Sequence, residues 1–169
     1  MTAVIIISGF IKIPMYPVPV SAVFLTINFI ALSFDREISV FSVLTYLIVG
    51  LLGLPVFSGG GGIGYVFSPS FGYLIGFLFV CLCADELKKM NFLDKSIFFK
   101  KLLISVINMV LVYFCGALYG YYILKIYSGA VIDIGYILFY YVVIFIPGDL
   151  LSSVLSSYIS KRVNTISTI

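Results

Sequence analysis

Residues 50–73 read GLLGLPVFSGGGGIGYVFSPSFGY. An apolar helix closes at Leu54-Pro55, four glycines (59–62) and Gly64 follow, then Ser68-Pro69-Ser70, and a second apolar run opens at Phe71. Proline removes a backbone donor and a glycine run does not hold a helix, so the chain leaves helical geometry here. In a chain this apolar, irregular backbone is tolerated only where protein or water satisfies its N–H and C=O groups. The stretch therefore predicts two membrane helices joined by a segment that lines a polar cavity.

Composition agrees. Of 169 residues, 62% are hydrophobic and 10% charged, and the mean hydropathy is +1.22. Soluble domains carry about a quarter charged residues, so this is an integral membrane protein with lipid as its solvent. Long apolar runs without period-2 alternation favour helices over a barrel. The expected class is an all-α integral membrane protein, a six-transmembrane-helix bundle forming a single domain over residues 1–169. A net charge of +3 sits beside membrane spans and gives no support for nucleic acid. Histidine is absent, which removes the commonest metal ligand and general base. Cys81, Cys83 and Cys115 fall inside apolar spans and read as small buried hydrophobes, with no CxxC or Cys/His cluster for a metal. No cleavable signal peptide is expected.

The spans follow in order. The first is short: about nine apolar or small residues precede Lys12, covering roughly 14 Å of a hydrocarbon core of about 30 Å. Two readings stand, a helix truncated at its inner end or a true start upstream of Met1. Later spans are expected at about 18–34, 38–57, 71–84, 102–124 and 136–160, the last interrupted by Pro147-Gly148-Asp149. Lys12 and Lys125 then lie on one side of the membrane. Arg36, Lys88, Lys89, Lys95, Lys100, Lys101, Lys161 and Arg162 lie on the other. The positive-inside rule places the basic side and both termini in the cytoplasm and the glycine turn outside.

Asp149 is the one carboxylate well inside a span. A central charge costs about 2.5–3.5 kcal/mol on insertion scales, so such residues face the bundle or a cavity. It can accept N–H donors from a ligand; otherwise it belongs to a kinked helix and bonds Asn28, Asn108 or a tyrosine. Gly59, Gly60 and Gly61 can offer successive N–H groups to a carboxylate, or form a flexible lid without contact. No Gly-Lys-Ser/Thr follows, so the turn is no phosphate loop. Tyr46, Tyr73, Tyr113 and Tyr119 could wall a cavity or pack as core and interface rings. Asn28 and Asn108 read as interhelical hydrogen bonds. The pairs Gly72/Gly76 and Gly116/Gly120 are GxxxG spacings that permit close helix approach. An intramembrane aspartyl protease needs two facing carboxylates; Asp133 lies in an outer connection, so an enzyme is not expected. A purely structural subunit would leave Asp149→Asn without effect on any ligand.

GLPVF with the glycine cluster, the following Pro, and Gly72-Tyr-Leu-Ile-Gly76-Phe resemble the BioY family of biotin transporters, as do Pro17-Val18-Pro19-Val20 before them and Pro147-Gly148-Asp149-Leu150 after them. The resemblance spans nearly the whole chain in consistent order. It implies a substrate-binding (S) component of an energy-coupling-factor transporter in the plasma (inner) membrane, capturing biotin from outside. A coupling subunit and two ATPases would then energise import in trans, with no cofactor bound by this chain. It makes Asp149 the main ligand contact, against the two N–H groups on one edge of biotin's ureido ring. Ser152, Tyr73, Tyr46, Gly59, Gly60 and Gly61 complete the expected site. Two departures bear on the ligand. Ser152 stands where the family commonly has Lys, one helical turn after the Asp, and Val23 stands where a Gln is usual. A bound carboxylate then has Lys12, Lys125, hydroxyls or glycine-turn N–H groups to meet. The small-residue pattern by which the family's first helix meets its coupling subunit is missing between Ala3 and Lys12. The alternative reading is an S component for another small vitamin or metabolite, or a degenerate biotin-binding relative.

Overall fold

The structure is a computed structural model that describes residues 1–13, 18, 20–89, 96–127 and 133–166. The Pro14–Pro19 turn, apart from Val18, and Lys95 fall outside the described residues. Among those described, six helical spans form the bundle. α1 covers Thr2–Phe10, the short first helix that the sequence predicts. A two-residue ladder follows, β1 Lys12–Ile13 against β2 Val20–Ser21, antiparallel with Lys12 opposite Ser21. Then come α2 Val23–Ser33, α3 Arg36–Leu51, a 3-10 turn Ile63–Phe67 and α4 Phe71–Lys89. α5 Ile97–Tyr122 runs on through a π turn, Ile123–Tyr127. The sixth span begins as α6 Ile134–Leu138, passes a π turn at Phe139–Val143 and continues as α7 Ile146–Ile166. The last two spans form apolar helices of 31 and 30 residues, about 45 Å each at 1.5 Å per residue, ample for a bilayer.

Burial is distributed as a membrane demands. Phe41, Phe114, Leu118 and Leu151 are each more than 60% exposed, a surface that water would not tolerate and lipid does. Asn28, Ser105, Asn108, Ser153, Ser156, Ser157 and Ser160 are fully buried. Asn108 Nδ2 donates to Asn28 Oδ1 at 2.9 Å, and Asn28 Nδ2 donates to Ser156 Oγ at 2.9 Å and to Ser105 Oγ. This seam joins α2, α5 and α7 by the interhelical hydrogen bonds expected of both asparagines.

α4 packs chiefly on α5, and α2 on α7. The α4–α5 contact is set by the GxxxG residues. A Cβ on Gly72 would lie 2.7 Å from the Cys115 carbonyl oxygen and 3.0 Å from Gly116 Cα, and one on Gly76 would lie 2.9 Å from Val112 Cα. The obstruction is backbone, which cannot rotate away. Gly72→Leu should therefore cost about 1–3 kcal/mol, read as a lowered unfolding temperature in detergent. Gly64→Ala, where an added Cβ meets nothing within 4 Å, should leave the midpoint in place.

Several boundaries differ from the sequence expectation: α2 starts at Val23 rather than near residue 18, and α4 runs on to Lys89 rather than ending near residue 84. α3 stops at Leu51 rather than at residues 54–57, because Gly53 takes φ +108° and its N–H turns back to Gly50 O at 3.2 Å, a glycine C-terminal stop. α5 begins at Ile97, so Lys100 and Lys101 lie inside the helix, and Lys101 is buried with Nζ donating to Ser160 Oγ at 2.6 Å. The sixth span leaves α-helical geometry at its π turn and not at Pro147, which sits in the first turn of α7 where its missing N–H costs least.

The two ends of the bundle are chemically distinct. At one end Arg36 N–H donates to Asp85 Oδ2, Lys88 pairs with Asp85 at 3.0 Å and caps Phe34 O, and Lys101 meets Ser160. At the other end the β1–β2 ladder, the glycine loop and the close of α5 meet. There Lys12 Nζ donates to Ser58 O at 2.5 Å, Tyr119 OH to Val66 O at 2.5 Å, and Phe67 stacks on Tyr127 with centroids 5.1 Å apart.

Candidate functional site

The glycine loop is a built cap. Phe57 and Gly60 exchange both N–H···O bonds at 2.9 and 3.0 Å, and Gly62 N–H reaches Gly50 O at 2.7 Å. Gly60 and Gly62 adopt φ +131° and +97°, which glycine alone takes without strain. Phe57 lies across Gly50, whose absent Cβ would stand 2.1 Å from the ring. Its ring meets Tyr46 edge-on at 5.3 Å and Tyr65 at 4.8 Å.

Beneath the cap is a cavity of about 550 Å³, counting the space at its open mouth. Its polar lining is Ser21, Tyr46, Ser58, Tyr65, Ser70, Tyr73 and Asp149. Val18, Val23, Phe24, Leu74, Phe77, Val112 and Phe145 make it greasy. Asp149 enters from the first turn of α7, its N–H donating to Phe145 O at 2.9 Å. Only 7% of the residue is exposed. Oδ2 accepts from Tyr113 OH at 2.8 Å, and among the described residues the carboxylate has no second hydrogen-bond partner. A buried carboxylate in a largely apolar cavity is a strong acceptor for a neutral polar ligand, since low-dielectric surroundings strengthen the bond.

The tyrosines are held by backbone. Tyr73 OH donates to Tyr141 O at 2.7 Å. The π turn makes that carbonyl available, because Phe145 N–H bonds Val142 O instead. Tyr46 OH donates to Val56 O at 3.3 Å, bracing the cap from below. Both residues thus line the cavity with their hydroxyls already engaged.

The structure brings Asp149, Tyr46 and Tyr73 to one cavity and places the other predicted residues elsewhere. Ser152 lies in an adjoining groove with Lys12, Ser21 and Asp149. Gly59, Gly60 and Gly61 are not among the lining residues. Gly60 N–H is spent on Phe57 O, so it is not offered to a ligand carboxylate. An added Cβ on Gly61 would strike Leu54 O at 2.1 Å, so these glycines shape the turn while their neighbour Ser58 lines the cavity. Tyr113 acts through Asp149, and Tyr119 anchors the cap at Val66 without lining the cavity. Sequence reasoning missed Ser21, Ser58, Tyr65 and Ser70, whose convergence has no signature in spacing.

Exposed apolar helices around a buried polar seam, with a capped cavity floored by one carboxylate, define a polytopic all-α membrane protein. The chain belongs to the BioY family, whose model matches residues 1–168. It is 33% identical over 168 residues to the biotin transporter BioY of Lactococcus lactis subsp. cremoris, covering 96% of this chain and 85% of that one. It is 42% identical over 76 residues to a probable biotin transporter BioY of Lysinibacillus sphaericus. That match spans 45% of this chain and only 39% of the relative's length. The crystal structure of the S-component for biotin from an ECF-type ABC transporter superposes with a TM-score of 0.81 at 31% identity. The match covers 97% of this chain and 86% of that one.

Proposed function

We propose that this chain is the membrane substrate-binding component of a biotin uptake system and performs no chemistry of its own. Asp149 carries the reading: a buried carboxylate with one engaged oxygen, under a cap, in a largely apolar cavity walled by aromatic rings. Its second oxygen suits the paired N–H edge of a cyclic urea, and Tyr46, Tyr73 and Phe145 supply apolar walls for the fused rings. The relatives named as biotin transporters and the solved biotin S-component support the same ligand. The separation of the chain's basic residues supports a plasma (inner) membrane protein with the cap outside and both termini in the cytoplasm. A coupling subunit with two ATPases supplies the energy, in keeping with the ECF-type context of that solved relative.

The test is uptake of labelled biotin by a biotin-requiring host expressing this chain, with and without a coexpressed energising module. Accumulation above the empty-vector level, raised by the module, is expected. No uptake in either case overturns the proposal. A thermal-shift series separates the alternative ligand class: biotin should stabilise the purified protein more than dethiobiotin or unrelated vitamins do. Stabilisation by unrelated vitamins alone would transfer the site to another metabolite.

A further inference from the structure

We infer that Lys12 is the carboxylate-binding residue of this chain, supplying from the β1–β2 ladder the cation that position 152 lacks. This rests on the proposed biotin reading and concerns the far end of the ligand.

Ser21 and Asp149 line both the capped cavity and the adjoining groove, so the two spaces meet at those residues; the groove's other walls include Lys12 and Ser152. A ligand whose neutral head bonds Asp149 can therefore send a side chain past Ser21 toward Lys12. The register fixes that neighbourhood, since Lys12 is paired directly with Ser21. Lys12 Nζ donates to Ser58 O at 2.5 Å, and Ser58 lines the cavity. An ammonium carries three N–H donors; with one on Ser58, two are left for an anion. Among the described residues, position and charge coincide only here. Lys125, on the π turn after α5, lies over the Tyr121 ring at 5.1 Å with Nζ on Tyr121 OH, and lines neither space. Ser152 faces the groove as a neutral hydroxyl.

The arrangement also couples recognition to closure. A carboxylate held by Lys12 is bonded through the same ammonium to the glycine loop, so ligand and cap are tied to one group. Ligands of the same ring system without the negative charge should bind but lose this contact. The chemical class favoured is thus a cyclic urea carrying an anionic tail.

The experiment compares biotin with biotin amide, which keeps the rings and removes the charge, on the purified full-length chain by calorimetry. The wild type should prefer biotin by about tenfold, the scale of a charge-assisted contact discounted for an exposed lysine. Lys12→Ala should abolish that preference by weakening biotin alone, leaving amide affinity within about threefold. Lys12→Arg should keep the preference, and Ser152→Lys in the Lys12→Ala background should restore it from the opposite wall of the groove. Amide binding also reports that each variant is folded. Equal loss for both ligands would show that Lys12 merely holds the loop and would overturn the inference. So would an undiminished preference in Lys12→Ala. A wild type that binds neither compound would overturn the biotin reading itself, and this inference with it.

Discussion

Asp149→Asn should weaken biotin binding by about a hundredfold while the protein remains folded. The argument is one of donors and acceptors. In the wild type, Tyr113 OH donates to Asp149 Oδ2 at 2.8 Å. An asparagine keeps that bond by turning its carbonyl oxygen toward Tyr113, which presents its NH₂ to the place a urea N–H would occupy. Donor then meets donor, where a charged acceptor stood before. A hydrogen bond to an ionised group contributes about 1.5–3 kcal/mol net, and about 2.7 kcal/mol is a hundredfold in Kd. The tyrosines give the contrast. Tyr73 and Tyr46 spend their hydroxyls on Tyr141 O and Val56 O, so Tyr73→Phe and Tyr46→Phe should change affinity by less than about fivefold. Calorimetry on the three purified variants decides it. Binding by Asp149→Asn within fivefold of wild type would remove the carboxylate from the ligand contact.

The particulars show where sequence stops being sufficient. The inside-out distribution was legible because hydropathy is a property of side chains: apolar runs became lipid-facing helices, and the polar residues within them turned inward. Asn28 and Asn108 could each be read in advance as interhelical hydrogen-bonding residues, since a buried amide in lipid needs a partner. The Gly72/Gly76 and Gly116/Gly120 spacings likewise announced a close helix pair. Helix ends were less legible, because backbone geometry settles them. The φ of Gly53 ends α3 at Leu51, well before Pro55, and nothing in residues 139–143 marks a π turn. Pro147 is the instructive case. Proline reads as a break in the middle of a helix and as an ordinary first-turn residue at its start. The choice depends on where the helix is interrupted several residues upstream. The site was half legible. A lone intramembrane carboxylate stands out in any apolar chain, whereas Ser21, Ser58, Tyr65 and Ser70 are ordinary polar residues until tertiary structure gathers them. The glycine cluster was rightly seen as a departure from helix, but its N–H groups are partly consumed in making the turn.

Asn28→Val should destabilise the bundle more than the double variant Asn28→Val/Asn108→Val. Asn28 is fully buried on α2 and connects with α5 and α7 through Asn108, Ser105 and Ser156. Removing it alone strands the Asn108 amide: its Nδ2 loses Asn28 Oδ1 as acceptor, and among the described residues its Oδ1 already accepts no hydrogen bond. An unsatisfied buried polar group costs about 1–3 kcal/mol, whereas deleting both partners together can approach neutrality. The serines adapt more easily: Ser156 Oγ already donates to Ser153 O at 3.2 Å within its own helix, and Ser105 has the same recourse to a carbonyl one turn back. The orphan left by the single change is therefore the asparagine. Unfolding in detergent should place the single variant about 1–3 kcal/mol below wild type, with the double variant between them. Additive losses, leaving the double variant lowest, would mean that each asparagine contributes through packing, and that the seam is no joint hydrogen-bonded unit.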